Sequence, residues 1–400
     1  MFYTLQEELL LNFKCLSLTN SLETAYGPDS TTETLYQEES IGESLHLTRN
    51  KSIYEETPYE RARNLVLRKC GQEKPLPFEE CYPSTILQRC RKIGEGVYGE
   101  VFLYKNSDGF GTVMKIIPIE GSQLVNDEPQ KKFHEILSEI VIAMELSNLR
   151  YNKKNSTTGF SELKTVKCVQ GRYPERLLDL WDLYDETHNS ENDSPQMFGD
   201  NQLYIILELA NGGIDMETFE FQNASESLYL FKQIACSLAV AENACEFEHR
   251  DLHWGNVLIS KSDNDKLLRY TLNGREFFIP SNGIEASIID FTLSRVKVEN
   301  AVIYNDISKD PDLFNATGEY QFEIYKLMQK KNNNEWEHYE PYTNVLWLHY
   351  VTNQMIYAVR YAKSSTKNHN ASLRKLIKLN NNILKYQNVA ELINNEFLKE

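Results

Sequence analysis

The chain has 400 residues, of which 41% are hydrophobic and 11% aromatic, so it can bury one or two substantial cores. Lys and Arg total 42 against 58 for Asp and Glu, and the resulting net charge of −16 argues against a nucleic-acid or anionic-membrane surface and favours a basic partner. There is no apolar run near the roughly twenty residues of a membrane span, and seven irregularly spaced cysteines without CxxC favour neither disulfides nor zinc. We expect a soluble intracellular protein that binds neither nucleic acid nor membrane directly.

The N-terminal part of the chain differs in amino-acid composition from the rest. Residues 1–57 are rich in Ser, Thr and Glu and have no sustained apolar period after the first eighteen positions, which is typical of a disordered arm. From Tyr59 a helical pattern leads past Pro75 and Pro77 into the first strand signal. The folded part of the protein is expected to start there.

The middle of the chain alternates between helical and strand patterns. Apolar residues at helical spacing within residues 129–149 predict a helix that packs on a sheet. Residues 186–202 are polar and turn-rich, and the apolar run of residues 203–207, which is followed by Gly212 and Gly213, is typical of a buried strand that ends in a hinge.

The second half of the chain begins with a long predicted helix through Phe231 and Leu238. Two short strands follow at residues 257–259 and 286–289, separated by a hairpin that turns at Asn273-Gly274. Beyond residue 320 the pattern is mainly helical.

Residues 94–101 read G-E-G-V-Y-G-E-V, a G-x-G-x-x-G-x-V loop in which missing side chains let backbone N–H groups approach triphosphate oxygens. The same glycines also occur in a Rossmann turn or an ordinary hairpin, so the loop alone is weak evidence. The candidate nucleotide contacts in this loop are Gly94, Glu95, Gly96, Val97, Gly99 and Val101.

Lys115 lies in the apolar segment V-M-K-I soon after this loop, which matches the V-A-I-K pattern whose lysine binds the α and β phosphates. Glu139 lies nearer the edge of the apolar stripe of the predicted helix than Glu135, so it is the better candidate to pair with Lys115. The alternative for each is an ordinary solvated side chain.

Residues 249–256 read H-R-D-L-H-W-G-N and match H-R-D-L-x-x-x-N at every fixed position. Asp251 is then the base that accepts a substrate hydroxyl proton, whereas Asn256 and Asp290 are the Mg²⁺ ligands. With Lys115 and Glu139, these residues predict a protein kinase that transfers phosphate in line from Mg·ATP without a covalent intermediate.

A protein kinase of this length predicts an α+β, bilobal fold with a small β-rich N-lobe and a larger helical C-lobe. We assign residues 58–207 to an N-terminal extension and the N-lobe, and residues 208–400 to the hinge and the C-lobe. The metal motif reads Asp290-Phe291-Thr292 where D-F-G is usual, and no A-P-E follows, so the activation segment is expected to be atypical. His253 stands where most serine/threonine kinases have lysine.

These matches and departures together resemble the haspins, a family of atypical nuclear kinases of the histone H3 tail. The resemblance covers about residues 58–400, although the family typically has tyrosine where Phe291 stands. It rests on five strings: KIGEGVYGEVF (92–102), FEHRDLHWGNVL (247–258), SIIDFTLSR (287–295), GEYQFEIYKLM (318–328) and NVLWLHY (344–350).

The resemblance implies phosphorylation of the threonine at position three of the histone H3 tail during mitosis, by a monomeric enzyme located on chromosomes in the nucleus. It also implies an activation segment that is ordered without phosphorylation. Asp310 and Asp312 look like the pair that binds the tail's arginine, Asp215 and Glu217 look like contacts for its lysine, and His253 would also touch the peptide. Carboxylates near the cleft favour a cationic peptide, although solvated surface acids are the alternative.

The same alignment makes Leu209 the gatekeeper of the nucleotide site. Ala210, Asn211 and Gly212 would present hinge backbone to the adenine, with Asp215 at the end of the same contact set. Two other functions stay open from the residues alone: a small-molecule phosphotransferase that lacks A-P-E, and a pseudokinase scaffold with an altered D-F-G motif.

Overall fold

The computed structural model describes residues 56–105, 109 and 111–398. The disordered arm predicted for residues 1–57 lies almost wholly outside these residues. The described helices are α1 (Pro58–Lys69), α2 (Phe78–Cys81), α3 (Ser84–Leu87), α4 (Phe133–Asn148), α5 (Glu175–His188), α6 (Ala224–Cys245), α7 (Pro311–Asn315), α8 (Tyr320–Lys331), α9 (Tyr342–Tyr357), α10 (Lys367–Ile383) and α11 (Val389–Glu396).

Short 3₁₀ turns lie at Leu149–Tyr151, Pro195–Met197, Trp254–Asn256 and Ile307–Lys309. The strands are β1 (Leu76–Pro77), β2 (Cys90–Gly96), β3 (Gly99–Lys105), β4 (Gly111–Ile119), β5 (Leu163–Gln170), β6 (Leu203–Ala210), β7 (Ile214–Asp215), β8 (Glu220–Phe221), β9 (Val257–Lys261), β10 (Leu267–Leu272), β11 (Arg275–Pro280), β12 (Ile284–Ile288), β13 (Arg295–Val298), β14 (Ala301–Tyr304) and β15 (Arg360–Tyr361).

The N-terminal part is a six-stranded sheet in the order β1-β5-β6-β4-β3-β2. Because side chains alternate along a strand, the sheet presents two apolar faces. Met114 and Ile116 of β4 join a core made with α2, α3 and α5. Ile117 of the same strand joins the core beneath α1 and α4. Both faces of the sheet are therefore covered by helices.

The C-terminal part is built around α6, whose buried residues cover nearly its whole circumference. Such a helix needs neighbours on every side, and α9, α10 and α11 pack against it together with β10 and β12. The three-stranded sheet β12-β9-β7 lies at the junction with the N-terminal part. None of the described helices is long and apolar enough to span a bilayer.

Most predicted elements are present, with shifted ends. The helix expected within residues 129–149 begins at Phe133, because Lys131 forms a bridge with Ile119 and Glu135 accepts a hydrogen bond from the N–H of Lys132. The hairpin predicted at Asn273-Gly274 joins β10 and β11, and both turn residues have positive φ. The mixed α and β content and the N-terminal sheet fit the expected kinase-like fold.

Candidate active site

Lys115 lies in the middle of β4, where alternation decides which way its side chain points. Met114 and Ile116 point to one face, so Lys115 points to the face beneath α4. Its Nζ lies 2.9 Å from Oε1 of Glu139 and 3.4 Å from Oδ2 of Asp290. The ion pair predicted between Lys115 and Glu139 is present, and Asp290 extends it to three charges.

A second lysine completes this cluster. Nζ of Lys131 lies 2.8 Å from the other carboxylate oxygen of Glu139 and 4.3 Å from the ring centroid of Tyr98, at the tip of the glycine loop. Sequence reasoning missed Lys131 because Lys132 beside it looks the same. Only the bridge between Lys131 and Ile119 orients the first lysine inward, whereas the side chain of Lys132 is 44% exposed.

The electrostatics of the cluster keep all its members ionised. Burial acts to lower the pKa of Lys115, but attraction by Asp290 and Glu139 outweighs it and leaves the pKa raised. Burial acts to raise the pKa of both carboxyls, yet Lys115 holds the pKa of Glu139 and of Asp290 below their ordinary values. The site therefore presents a fixed cation beside two fixed carboxylates.

The segment after α6 carries the predicted base. Asp251 follows Arg250, whose φ of +65° is in the left-handed region that non-glycine residues seldom adopt. The backbone carbonyl of Asp251 accepts a hydrogen bond of 2.8 Å from Nδ2 of Asn256. One oxygen of its carboxylate, Oδ1, accepts a hydrogen bond from the phenol of Tyr325. Burial raises the pKa of Asp251 to about 8, with Asp290 adding to the rise.

The strand pair β9–β12 brings Asn256 and Asp290 together. Ile288 pairs with Val257, and the N–H of Ile289 donates to the carbonyl of Asn256 at 3.0 Å. Asp290 follows directly, with φ +58°, and its Oδ1 accepts from the N–H of Thr292 at 3.1 Å. The two residues that the sequence assigned to Mg²⁺ therefore project from adjacent strand ends.

The donor set at this position fits Mg²⁺. Nδ2 of Asn256 donates to the carbonyl of Asp251 and lies 3.1 Å from Nε2 of His253. No hydrogen bond among the described residues reaches the amide oxygen of Asn256, which points to its use as a ligand. Asp290 supplies an ionised carboxylate, and oxygen ligands of this kind are what Mg²⁺ prefers. The magnesium assignment stays a prediction that the donor chemistry supports.

The ring of Phe291 lies 5% exposed in an aromatic cluster. Its centroid is 6.1 Å from that of Phe160, 6.4 Å from that of Phe247 and 5.9 Å from that of His249. Packing of its ring therefore anchors Phe291, the residue after Asp290, to the core.

The three glycines of the loop serve different purposes. A Cβ at Gly94 or Gly96 would meet no atom within 4 Å, whereas one at Gly99 would lie 2.0 Å from the carbonyl oxygen of Ile116. Gly99 is therefore required by the contact between β3 and β4. Gly94 and Gly96 leave open space over the site, as phosphate oxygens approaching backbone N–H groups would need.

The glycine loop is held from outside by the polar segment that follows α5. Both oxygens of the Glu95 carboxylate accept hydrogen bonds there, one from Oγ of Ser190 at 2.7 Å and one from the N–H of Glu191 at 3.0 Å. Asn192 donates to the carbonyl of Gly96 at 3.2 Å. Glu95, a predicted nucleotide contact, thus directs its side chain away from the loop's open space.

Two further bonds complete this clamp. Asn126 donates from Nδ2 to the carbonyl of Val97 at 2.8 Å, and it exchanges two hydrogen bonds with Asp193. The side chain of Val97 itself is 57% exposed. The conformation of the loop is therefore set by partners about 30 and 95 residues away in the chain.

The predicted hinge follows β6. The N–H of Ala210 donates to the carbonyl of Glu162 at 2.8 Å, so only its carbonyl is left for a ligand. A Cβ at Gly212 would lie 2.9 Å from a methyl carbon of Leu258. Gly213 has φ +100°, and a Cβ there would lie 2.1 Å from a carbonyl oxygen of β9. These glycines let the hinge pack directly on the C-terminal sheet.

Leu209 and Asn211 are the remaining residues of the predicted hinge. Leu209 lies in β6 and pairs with Val113 of β4, the strand that carries Lys115. Oδ1 of Asn211 accepts from the N–H of Gly213 at 3.1 Å.

The predicted substrate acids fall into two groups. Glu217 and His253 line one cavity of about 410 Å³ together with Trp254, Glu319, Tyr320, Gln321 and Gln354. The carboxylate of Asp215 accepts two hydrogen bonds of 2.8 Å from Thr218, which fixes it just outside that cavity lining. Burial, followed by repulsion from Asp215 and Glu319, raises the pKa of Glu217. This cavity is therefore acidic and lacks an internal countercharge among its lining residues.

Asp310 and Asp312 form the second group, at the start of α7. Oδ1 of Asp310 caps the helix by accepting from the N–H of Leu313 at 3.3 Å. Both side chains are exposed and neither lines the 410 Å³ cavity.

Comparison with known proteins gives one family. Residues 33–397 match the family model described as Haspin like kinase domain. The chain is 45% identical over 356 residues to the mouse serine/threonine-protein kinase haspin, covering 88% of this chain and 46% of that protein. It is 42% identical over 335 residues to the Drosophila melanogaster serine/threonine-protein kinase haspin homolog, covering 82% of this chain and 59% of that one.

A third relative is the Bos taurus serine/threonine-protein kinase haspin, which is 47% identical over 311 residues, or 77% of this chain and 39% of that protein. The aligned segments thus span about half the length of the curated relatives they match. The family match over residues 33–397 includes all the site residues described above.

Gly96→Ala and Gly99→Ala should have opposite effects. Gly96→Ala is expected to leave the unfolding temperature unchanged, because its Cβ meets no protein atom. The same Cβ would enter the open space that phosphate oxygens need, so ATP binding should weaken. Gly99→Ala is expected to lower the unfolding temperature, because its Cβ would collide with the backbone of β4. Thermal unfolding with and without Mg·ATP measures both effects. Unchanged ATP affinity in Gly96→Ala would refute the role given to that glycine.

Asn192→Ala should loosen the glycine loop. The change removes the bonds from Nδ2 of Asn192 to the carbonyl of Gly96 and to Glu100, each worth roughly 1 kcal/mol. We expect ATP affinity, measured by titration, to fall by about five-fold to about 30-fold, the worth of one bond or of both. Glu191→Ala is the matched control, since Glu191 bonds Glu95 through its backbone N–H. Equal affinities for the two variants would argue against the clamp.

Proposed function

Because this chain belongs to the haspin-like kinase family, we propose that it is an active serine/threonine protein kinase whose substrate is the threonine at position three of the histone H3 tail. The observation that carries the proposal is the charge cluster of Lys115, Glu139 and Asp290 next to a half-buried Asp251. It unites the residue types that phosphoryl transfer needs. We extend the proposal to a mitotic role on chromosomes in the nucleus.

The geometry supports a direct transfer. Lys115, held by Glu139, binds the phosphate oxygens of ATP, and Asp251 accepts the proton of the threonine hydroxyl. The hydroxyl oxygen forms a bond to the γ-phosphorus while the bond from that phosphorus to the β–γ bridging oxygen breaks, so ADP leaves with the electron pair. Asn256 and Asp290 are the residues that would hold Mg²⁺, which would supply charge neutralisation at the phosphates.

We further propose that residues 290–319 form an activation segment that is ordered without phosphorylation. Phosphorylated kinase loops are ordered by new pairs between arginine and phosphate. Arg250, the arginine of the H-R-D motif, is fully buried and already bonded to Glu248 at 3.1 Å and to the carbonyl of Trp336 at 2.7 Å. Its charge is thus already paired with Glu248, and the buried guanidinium is not accessible to a phosphate in this segment.

The hairpin β13–β14 supports the same proposal. Arg295, at its start, is 3% exposed and donates to the carbonyls of Glu246 and Glu337 at 2.8 Å each. The backbones of Arg295 and Glu248 also exchange two hydrogen bonds. The segment is thus fixed to Glu248, three residues before Asp251.

The acidic residues support a cationic peptide as substrate. The cavity that contains Glu217 and His253 is bordered by carboxylates without an internal countercharge, and a lysine ammonium would relieve their mutual repulsion. Asp310 and Asp312 offer two exposed carboxylates to an arginine, whose planar guanidinium suits such a pair. The net charge of −16 favours encounter with the same basic segment.

Phosphate transfer to a peptide is the direct test. The wild type is expected to label an unmodified H3 tail peptide with radioactive phosphate from ATP, and not a peptide whose third residue is alanine. Asp251→Asn should lower kcat by about 10²–10⁴ because the base is lost. Transfer only to small molecules, or to nothing at all, would favour the phosphotransferase or scaffold alternative instead.

The role of the acidic pair in α7 can be measured by steady-state kinetics. Asp310→Asn combined with Asp312→Asn is expected to raise KM for the H3 peptide roughly ten-fold or more and to leave KM for ATP unchanged, because a charged hydrogen-bonded pair is worth about 1.5–3 kcal/mol. A peptide with its arginine replaced by alanine should abolish the difference from the wild type.

Asp263 and Asp265 provide a matched control, because they are exposed and have the same spacing in the turn after β9. Changing both to Asn alters the net charge equally and should leave both KM values as in the wild type. A similar rise in the two double variants would indicate general electrostatics and not a binding site.

A further inference from the structure

The carboxylate of Asp251 is held by a residue that none of the kinase motifs contains. Tyr325, in α8, donates its phenol hydrogen to Oδ1 of Asp251 across 74 residues of chain. Among the contacts of residues 56–105, 109 and 111–398, this is the one hydrogen bond that reaches the carboxylate. Backbone atoms of Asp251 are bonded separately, the N–H to His249 and the carbonyl to Asn256.

The phenol is fixed by packing before it meets Asp251. Tyr325 is 5% exposed, and its ring makes an edge contact with Trp347 at 5.3 Å between centroids and an interplanar angle of 75°. Trp347, in α9, is fully buried and also contacts Tyr350 at 5.4 Å. The position of the hydroxyl is therefore set by the helical core, which gives the catalytic loop a rigid reference.

The side chain where other kinases carry a lysine does not perform this task. His253, two residues after the base, accepts from the N–H of Gly255 at 3.1 Å and contacts Asn256 at 3.1 Å. Both ring nitrogens are thus engaged with the backbone turn and with Asn256. The carboxylate of Asp251 is left with Tyr325 as its partner.

We propose, on the basis of the kinase function proposed above, that Tyr325 is a positioning residue for phosphoryl transfer. Its hydroxyl donates a hydrogen bond to Oδ1 of Asp251 and so fixes the orientation of the carboxylate. The other oxygen, Oδ2, is then presented to the hydroxyl of the substrate threonine. The proton of that threonine passes to Oδ2, and the phenol keeps its own proton throughout. Tyr325 acts only through Asp251 and touches neither nucleotide nor peptide.

A variant whose catalytic base is misplaced is expected to have a lower kcat and an unchanged KM for ATP. Tyr325→Phe keeps the ring and its packing on Trp347 while removing the hydroxyl. Because small displacements of reacting groups cost up to about 10²-fold in rate, we expect kcat to fall about 10–100-fold. KM for ATP should stay unchanged, because the cluster of Lys115, Glu139 and Asp290 is not altered.

Tyr386→Phe is the matched control. Tyr386 lies between α10 and α11, and its phenol also donates to a carboxylate, that of Glu396, at 2.6 Å. The two variants therefore lose the same kind of hydrogen bond. Tyr386→Phe should keep the kcat of the wild type, whatever small change in unfolding temperature either variant shows.

A double-mutant cycle separates positioning from general destabilisation. If Tyr325 acts through the base, Tyr325→Phe should add no further loss of kcat in the Asp251→Asn background. Equal fractional losses in both backgrounds would overturn the proposal, as would a Tyr325→Phe enzyme with the kcat of the wild type. Both results leave the kinase function standing, because the wild type still labels the H3 peptide.

The wild-type arm of the experiment tests the underlying function separately. If the wild type labels no protein substrate while it binds Mg·ATP, the kinase function is refuted and the role of Tyr325 falls with it. The two failures are distinguishable because only the second abolishes transfer by the unmodified chain.

Discussion

The ion cluster of Lys115, Glu139 and Asp290 is the interaction on which the rest of the structure depends. Its three charges come from a strand of the N-terminal sheet, from α4 and from the end of the C-terminal strand β12. Breaking a buried pair by removing one partner leaves an uncompensated charge, at a cost of several kcal/mol. Lys131 adds a fourth charge and joins the cluster to Tyr98 of the glycine loop. The two parts of the molecule are thereby held in register at the point where phosphate would bind.

A second buried network does the same for the catalytic loop. Glu248 lies fully buried and bonds Arg250, Thr343 and the N–H of Glu340. Its backbone is paired with that of Arg295, so the start of the hairpin β13–β14 and the turn that carries Asp251 share one support. Because these groups neutralise each other internally, the network supports the proposal that the segment is ordered without an added phosphate.

The sequence predicted those parts of the site that are encoded by local pattern. The match to V-A-I-K selected Lys115, helical spacing selected Glu139 over Glu135, and Asn273-Gly274 marked a hairpin. Contacts made across long separations left no local signal. Four tyrosines in α8 and α9, Tyr320, Tyr325, Tyr342 and Tyr350, have hydroxyls that are hydrogen-bonded or side chains that are buried. Only the packing of α8 on Trp347 distinguishes Tyr325 among them. The clamp from Asn192 was missed for the same reason, since residues 186–202 looked like an ordinary polar loop.

The charges of the cleft are segregated in a way that serves two ligands of opposite sign. Lys115 and Lys131 lie beneath the glycine loop, where a polyphosphate would bind, whereas Glu217 and Glu319 border the cavity beyond the catalytic loop. Within that cavity the carboxylates repel one another, which contributes to the raised pKa of Glu217. A cationic side chain would remove this repulsion on binding, so relief of the repulsion would contribute to its affinity. The same acids would oppose an anionic ligand there, and the nucleotide and a basic peptide would therefore be directed to opposite sides of Asp251.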